Sequence, residues 1–445
     1  MSNVTPANST ASNPGGTANP WYVVCLLMLA FTFSHMDRNV MSILLNSIKH
    51  DLGLTDFQAG LMHGPAFALF YVFFGLPIAR AADKYNRVNI IAIALTLWST
   101  MTALCGIAQN FAQLGLARMG VGIGEAGCVP PAQSIIADYI PPERRAFALS
   151  IFSIGAPLGT ILGIVAGGVL ESWFDWRVAF FAIGLPGIIV ALVIKFSIKE
   201  PIRGNVDDAA HAGDGTPSLK EVMNTIWHLK SLKHMIFGSS LIVFGGYGAS
   251  AWMPSFLQRS HDLSTLQVSL LLGPIMLVAG VGGLLISGRV TDKLVQKNVE
   301  WYARVPAIAT ACAVPFSGLI MLIPQTTYML FGAEIPSHIV AVGMFSLPVA
   351  AYISYMGPVN ALMQNMVVPR MRAMTVAVFL FVTNIIGMGL GPPLIGLGSD
   401  YFEGQFGQES LRIALMSTLV IYAWAAFHFN RARRTMKADL ERSFQ

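Results

Sequence analysis

Twelve apolar runs dominate this 445-residue sequence, and each is long enough to cross a lipid bilayer as a helix. A spanning helix needs roughly 20 apolar residues. Six runs lie near 21–48, 56–82, 88–109, 112–138, 146–170 and 177–198, and six more near 233–258, 265–291, 303–324, 337–365, 373–398 and 409–430. Charged residues make up 11% of the chain, against about 25% in typical soluble domains. The sequence therefore predicts an all-α integral membrane protein.

The Lys and Arg residues favour one side of the predicted membrane. With both termini placed in the cytoplasm, 22 of the 28 fall on the inner side, and Arg38 and Arg118 lie within helices. The four on the outer side are Lys49, Arg177, Arg259 and Arg412. This asymmetry follows the positive-inside rule and predicts a multi-pass protein of the inner (plasma) membrane. No basic domain or tail is long enough to predict a nucleic-acid partner for the net charge of +5.

The apolar runs divide into two predicted six-helix bundles, residues 21–198 and residues 231–430. Residues 1–20 carry no charged side chain and are expected to form a disordered cytoplasmic tail. Residues 199–230 are predicted to be a polar cytoplasmic linker with an interfacial amphipathic helix over 217–230. Residues 431–445 are predicted to be a basic cytoplasmic tail that lies against anionic lipid.

Two short motifs occur once in each half. Residues 79–84 (Ala-Arg-Ala-Ala-Asp-Lys) follow the second run, and residues 288–293 (Gly-Arg-Val-Thr-Asp-Lys) follow the eighth. Residues 142–146 (Pro-Glu-Arg-Arg-Ala) precede the fifth run, and residues 369–373 (Pro-Arg-Met-Arg-Ala) precede the eleventh. Internal repetition of this kind is typical of transporters built from two similar bundles. It predicts pseudo-symmetric halves.

The loop after the second run resembles that of the major facilitator superfamily, which reads Gly-x-x-x-Asp-Arg/Lys-x-Gly-Arg. Here the corresponding residues are Ala79, Asp83, Lys84, Asn86 and Arg87. The resemblance implies a twelve-helix fold with a central cavity that opens alternately to each side. Charges near helix ends would latch the two bundles as an inner gate. The predicted inner-gate residues are Asp83, Lys84, Arg87, Arg145, Asp292, Lys293 and Arg372.

Three further stretches are similar to the Spinster branch of that superfamily. They are residues 35–38 (His-Met-Asp-Arg), 118–126 (Arg-Met-Gly-Val-Gly-Ile-Gly-Glu-Ala) and 154–159 (Ile-Gly-Ala-Pro-Leu-Gly). The similarity runs from Trp21 to about Phe429 and looks like that of a bacterial member. It implies transport of a lysolipid or sphingoid phosphate, with coupling to protons.

Four charged residues lie deep within predicted helices. Asp37 and Arg38 lie near the bilayer centre in the first helix, where each charge costs about 2.5–3.5 kcal/mol. Arg118 and Glu125 share one face of the fourth helix, about 10 Å apart. Because the four charges sum to zero, we expect them to pair. A static salt-bridge network is one interpretation, but buried pairs add little net stability and the second half has no ionisable residue at this depth.

The favoured hypothesis assigns proton exchange to Asp37 and Glu125. Desolvation favours the protonated form of a carboxylate and a neighbouring arginine favours the charged form, so small rearrangements would switch protonation. Arg38 and Arg118 would tune this equilibrium and bind an anionic head group. His35 is a candidate proton relay or an ordinary packed histidine, and His63 is expected at the outer membrane interface.

Aromatic and amide side chains of the second half are candidates for the opposite wall of the cavity, although each is equally compatible with ordinary helix packing. They are Tyr247, Trp252, Tyr352, Tyr355, Asn360, Gln364 and Asn384.

The sequence predicts no cofactor, because no phosphate-binding loop and no Cys/His metal spacing occurs. The proton is the predicted coupling ion, and the predicted partners are the bilayer and a small amphipathic lipid-like substrate, bound by a monomer. Three alternatives stay open: a proton-coupled multidrug antiporter for hydrophobic cations, a non-transporting membrane sensor or scaffold, and an enzyme. The enzyme has no catalytic motif to support it.

Overall fold

The computed structural model describes residues 19–203, 218–330, 333–368 and 371–443, which are almost entirely helical. The first half contains α1 (Pro20–Leu52), α2 (Asp56–His63), α3 (Pro65–Lys84), α4 (Arg87–Cys105), α5 (Phe111–Glu125), α6 (Val129–Tyr139), α7 (Pro142–Trp173) and α8 (Trp176–Ser197). The pairs α2–α3 and α5–α6 each form one interrupted span, so these helices make the six predicted spans.

The second half repeats this arrangement after a short helix, α9 (Leu219–His228), which lies in the predicted linker. It contains α10 (Lys230–His261), α11 (Thr265–Val295), α12 (Trp301–Leu322), α13 (Ser337–Ser354), α14 (Met356–Asn365), α15 (Arg372–Thr383), α16 (Leu390–Phe406) and α17 (Ser410–Ser443). A π-helical turn, Asn384–Gly389, joins α15 to α16 in one span, and a 3-10 turn, Gly407–Glu409, precedes α17.

One antiparallel hairpin separates α12 from α13. It consists of β1 (Thr327–Leu330) and β2 (Ala333–Pro336), with Thr327 opposite Pro336. Parts of the sequence predictions lie outside the described residues: the tail over 1–18, the linker over 204–217, residues 369 and 370 of the repeated motif, and residues 444–445.

Within the described residues, nine helical stretches are long and apolar enough to cross a membrane. The longest, Met374–Glu441, contains both the eleventh and the twelfth span. The two spans outside this set are α1 and α5–α6. These are the spans that carry the four buried charges of the candidate site, and buried charge lowers the apolar character of a span.

The fourth span of each half is broken, whereas the sequence predicted one continuous helix in both places. In the first half the break lies between Glu125 and Val129, and in the second half it lies at Tyr355. Pro130 and Pro131 begin the new helix in the first half, because a proline there gives up no helical hydrogen bond. Breaks at equivalent places agree with two similar bundles.

Buried apolar side chains form three clusters, which show how the halves meet. The largest draws on both halves and includes Ile48, Leu257 and Val268, at the predicted outer end of α1, α10 and α11. Towards the predicted cytoplasmic end the first half and the second half each have a cluster of their own, with Met388 of the π-helical turn in contact with both. The halves therefore share one apolar cluster at the predicted outer end and have separate clusters towards the other.

Glycines allow this closure. A Cβ on Gly60 of α2 would lie 2.6 Å from the carbonyl oxygen of Pro392, and one on Gly396 of α16 would lie 2.2 Å from the carbonyl oxygen of Asp56. Backbone therefore contacts backbone where α2 crosses α16, and a side chain at either glycine would separate the two helices.

Candidate functional site

Glu125 lies in the interior of the first half and is paired with Arg38. The Nε atom of Arg38 is 2.6 Å from Oε2 of Glu125, and the hydroxyl of Ser34 donates to the same oxygen at 2.7 Å. The Glu125 side chain is fully buried, whereas the Arg38 side chain is 15% exposed. The pair therefore joins α1 to α5 and leaves one edge of the arginine accessible.

Asp37 is also buried, but it has a different environment. Oγ1 of Thr102, on α4, donates to Oδ2 of Asp37 at 3.0 Å. Within the described residues the carboxylate forms no ion pair, and its Oδ1 atom has no hydrogen-bond partner. Arg118 instead donates to the backbone carbonyl oxygens of Asp37 and Met62, both at 3.3 Å. Arg118 thus ties α5 to α1 and α2 through their backbones.

Two aromatic rings of α3 lie beside the arginines. The guanidinium carbon of Arg38 lies 4.6 Å from the ring centre of Phe67 and 4.8 Å from that of Tyr71. The guanidinium carbon of Arg118 lies 5.6 Å from the ring centre of Phe67. Contact with a ring face stabilises a cation that has lost its water. The expected pairing of all four charges is therefore wrong in detail: Arg38 pairs with Glu125, whereas Arg118 contacts the ring of Phe67 and two backbone carbonyl oxygens.

The two histidines near this site differ in their surroundings. Nδ1 of His35 lies 3.2 Å from the carbonyl oxygen of Phe31, one turn earlier on α1. The expectation that His63 lies at the outer membrane interface is wrong, because its side chain is buried and its ring centre lies 5.3 Å from that of Tyr247. The close approach of α2 to the second half carries His63 into the interface between the halves.

The predicted wall residues of the second half are dispersed rather than gathered. The ring of Tyr247 packs against that of His63 in the first half. Trp252 is fully buried, and its indole Nε1 donates to the carbonyl oxygen of Pro392 at 2.8 Å. Tyr355 is buried at the break between α13 and α14, and Tyr352 packs against Gly246.

The predicted amides are placed differently again. The Asn360 amide donates to the carbonyl oxygen of Met356 in its own helix at 2.8 Å. Gln364 is exposed near the end of α14, and Asn384 begins the π-helical turn. Tyr247 contacts His63 of the first half, and this contact places it beside the charged residues.

The predicted inner-gate residues fall into two groups. Asp83, Lys84, Asp292 and Lys293 are exposed and form no ion pair within the described part of the chain, and Arg372 is exposed at the start of α15. Arg87 is buried within the first half, where it pairs with Asp138 at 2.5 Å and Glu200 at 2.6 Å. Arg145 donates to the carbonyl oxygen of Ala137 at 2.8 Å.

A polar network at the predicted outer end was missed by sequence reasoning, and we call it the outer latch. Asp56, at the start of α2, accepts two hydrogen bonds of 2.8 Å from Arg259 of the second half, and Lys49 lies 2.8 Å away. Ser399 donates to Asp56 at 2.7 Å. Asp400 accepts from the backbone N–H groups of Asp56 and Phe57 at 2.8 Å each, so it caps α2 across the interface.

The outer cations carried a partial signal for this network. Each of the four Lys and Arg residues placed on the outer side by the sequence forms an ion pair: Lys49 and Arg259 with Asp56, Arg177 with Asp51, and Arg412 with Glu409. The Thr55–Gln58 capping box also marks Asp56 as a helix start. The sequence contains no sign that Arg259, two hundred residues later, is the partner.

No metal site is formed by the side chains that the structure describes, since no group of three or more His, Cys, Asp or Glu is placed to hold an ion.

Comparison with known proteins identifies the architecture. Residues 27–392 match the family model of the Major Facilitator Superfamily. An MFS-type efflux pump of Mycolicibacterium smegmatis is 31% identical over 404 residues, which cover 90% of this chain and 89% of that protein. Protein spinster homolog 1 of Xenopus tropicalis is 27% identical over 403 residues, covering 86% of this chain and 73% of that protein.

Solved structures agree with these sequence matches. The crystal structure of a bacterial homologue of the human lysosomal transporter Spinster, in an inward-facing and unoccupied conformation, has a TM-score of 0.84 and 30% identity, and the match covers 96% of this chain and 99% of that one. The occupied form has a TM-score of 0.82 at the same identity, over 95% and 99% of the two chains. The predicted twelve-helix fold is confirmed, and the chain is not an enzyme. It belongs to the major facilitator superfamily and is a multi-pass membrane transporter of the Spinster type.

Proposed function

We propose that the chain is a proton-coupled secondary transporter that moves an amphipathic anionic lipid-like substrate, a lysolipid or sphingoid phosphate, by alternating access. The observation that carries this proposal is the buried Arg38–Glu125 pair, in which one arginine edge stays accessible. A dedicated cation in an apolar surrounding suits an anionic head group, and the aromatic rings beside it suit an acyl chain.

The pair also supplies a mechanism of coupling. While Glu125 is ionised, Arg38 donates a hydrogen bond to it and is neutralised by it, so the guanidinium is not free to bind another anion. A proton on Glu125 removes the negative charge and frees the guanidinium for an anionic group of the substrate. Proton and anion therefore favour each other's binding, and this coupling is reciprocal by thermodynamic linkage. The expected mode is symport, with both species carried in the same direction.

Alternating access is supported by the way the halves are joined. The outer latch and the α2–α16 crossing close one end, whereas the two inner apolar clusters are separate. We place the closed end on the outer side and both termini in the cytoplasm of an inner membrane, on the distribution of Lys and Arg. The proposed working unit is a monomer whose partners are the bilayer, the substrate and protons.

The test is flux of a labelled lysolipid or sphingoid phosphate in proteoliposomes with an imposed pH gradient. The parent protein is compared with Glu125→Gln, Asp37→Asn and the control Glu403→Gln, which alters an exposed carboxylate of α16. We expect gradient-driven flux in the parent and the control and its loss in Glu125→Gln and Asp37→Asn. Flux that responds to the gradient equally in all four proteins would refute the coupling role.

A second candidate is a proton-coupled antiporter for hydrophobic cations. It is favoured by the relative named as an efflux pump and by Asp37, a buried carboxylate that forms no ion pair within the described residues. Competition separates the two candidates: a hydrophobic cation that inhibits flux at lower concentration than the lipid anion would favour efflux. A protein that has kept the fold only as a sensor or scaffold would show no saturable flux of either substrate.

A further inference from the structure

An apolar groove of about 310 Å³ lies on the second half, away from the interface between the halves. Its walls are formed by α11, α12 and α13, with Ile286, Ile308 and Leu347 among the exposed side chains. The hydroxyl groups of Ser287 and Ser354 also line it, but each donates to a carbonyl oxygen of its own helix. The groove therefore offers an occupant apolar contact and no free hydrogen-bond donor from these serines.

The length of the groove fits one leaflet of a bilayer. Along α12 it runs from Trp301 to Phe316, a distance of about 22 Å at the helical rise of 1.5 Å per residue. Trp301 begins α12 at the predicted cytoplasmic end, and half of a hydrocarbon core of about 30 Å is about 15 Å. An acyl chain that starts at the predicted inner surface would thus be covered over its whole length.

A cluster of cations lies at the end of the groove marked by Trp301. The guanidinium carbon of Arg304 is 5.4 Å from the Trp301 ring centre. Arg304, Arg433 and Lys437 converge on Glu300, at nitrogen–oxygen distances of 2.7, 3.9 and 4.0 Å. The hydrogen bond from Arg304 lowers the pKa of Glu300, so this residue is charged at neutral pH. Three cations and one anion give this cluster a net charge of +2.

We propose that this groove binds a bilayer phospholipid with an anionic head group. One acyl chain would lie between α11, α12 and α13, and the head group would contact Arg433 and Lys437. Charge complementarity selects the head group, because an uncharged or zwitterionic lipid would gain the apolar contact without the ionic one. The bound lipid is a resident partner of the second half, and the proposal does not depend on which substrate is transported.

The chain contains its own reporter for this test. Cys312 is an exposed cysteine that lines the groove, and Cys25, also exposed, lies on α1 in the first half. The purified full chain in an uncharged detergent is treated with a maleimide while phosphatidylglycerol or phosphatidylcholine with the same acyl chains is added. Peptide mass spectrometry then gives the modification rate of each cysteine. We expect phosphatidylglycerol to slow the modification of Cys312 relative to that of Cys25, and to do so at a far lower concentration than phosphatidylcholine does.

Charge variants distinguish the proposed site from general binding of anionic lipid. Arg433→Gln with Lys437→Gln removes two cations of the cluster, and Arg431→Gln with Arg434→Gln removes two others from the same helix. The first pair should raise the half-protecting concentration of phosphatidylglycerol about 30-fold, which corresponds to about 1 kcal/mol per cation, and the second pair should change it little. Equal protection by both lipids, equal effects of both pairs, or protection that depends on protein concentration would overturn the proposal.

Discussion

Arg38 and Glu125 neutralise each other within the first half, where neither charge is well solvated. Removing one partner of a buried pair leaves an uncompensated charge and costs about 3–5 kcal/mol, although replacing both is often neutral. An interaction that contributes little net stability but is costly to break is suited to a switch. Protonation of Glu125 removes its negative charge, so the carboxyl group no longer requires Arg38 to compensate it.

Stability measurements should reveal this dependence. In Arg38→Gln, an ionised Glu125 has lost its hydrogen-bonded cation, so we expect the folded state to retain a proton that the unfolded chain releases. The free energy of unfolding then falls as pH rises, because the folded state binds more protons than the unfolded state. We expect the melting temperature of Arg38→Gln in detergent to decrease as the pH rises above about 4.3, the ordinary pKa of a glutamate.

The double variant Arg38→Gln with Glu125→Gln is the control, since it has no carboxylate to ionise at this position. Its melting temperature should follow that of the parent across the same pH range. If the single and double variants have the same pH dependence, the pair is not the origin of the effect, and the coupling step proposed for Glu125 loses its physical basis.

At this scale the sequence identifies charged residues but not their neighbours. Asp37, Arg38, Arg118 and Glu125 are recognisable because a charge deep in an apolar helix is costly. Thr102 donates to Asp37 from a helix 65 residues away, and nothing separates it from other threonines in apolar helices. The rings that hold the arginines are equally ordinary in sequence, because their role depends on how α3 packs against α1 and α5.

Among the helices, α17 extends furthest beyond its predicted end. Asp439, which is buried near its C-terminus, accepts hydrogen bonds of 2.7 Å from both the backbone N–H and the hydroxyl of Ser231, at the start of α10. The predicted basic tail is therefore a helix that is packed on its own half over most of its length. Basic composition alone does not reveal that Ala432 and Met436 form a buried face.

Loss of the hydrogen bonds between Asp439 and Ser231 should destabilise the second half. Asp439→Asn removes a charged acceptor, and hydrogen bonds to charged groups contribute about 1.5–3 kcal/mol. We expect a lower melting temperature, with earlier loss of protection in the α10 and α17 segments. Glu441→Gln, two residues later and exposed, is the matched control and should leave the melting temperature unchanged. Equal effects of the two variants would show that Asp439 contributes only net charge.

The crossing of α2 and α16 makes a separate prediction. A valine at Gly60 would place its Cβ 2.6 Å from Pro392 and Pro393 backbone atoms, which cannot rotate away as a side chain would. Gly60→Val should therefore separate α2 from the second half and speed hydrogen exchange of the backbone amides of residues 56–63. Gly75→Val is the control, because a Cβ there meets no atom within 4 Å. Unchanged exchange in Gly60→Val would mean that the two helices adjust to the valine and stay packed together.

Sequence patterns predict how many membrane spans there are better than they predict where the helices within a span break. Apolar runs of about 20 residues give the spans, because the bilayer imposes that length. The interruptions at 126–128 and at Tyr355 do not shorten the apolar run, so hydropathy does not reveal them. The same holds for the π-helical turn before Leu390, which packs against α10 and α3.

On the scale of the whole molecule, the outer latch opposes the opening movement that the proposed alternating access requires. Asp56 and Asp400 connect the halves through charged hydrogen bonds. Lys84 and Lys293, which occupy matching positions of the repeated motif, are exposed at the predicted cytoplasmic end. Opening of the outer end must break the Asp56–Arg259 pair, and the free energy of that pair sets part of the balance between the two conformations.

Asp56→Asn should therefore shift the population towards the outward-open form. Spin labels at Lys84→Cys and Lys293→Cys, in a background without the four native cysteines, report the separation of the halves at the predicted cytoplasmic end. As the outer end opens, the inner ends approach, so the distance distribution in Asp56→Asn should move to shorter values. Glu409→Gln is the matched control, since its ion pair with Arg412 lies at the same end but within one half. If both variants keep the parent distribution, the latch forms in the closed conformation without stabilising it. The contact of α2 with α16 must then stabilise the closed conformation.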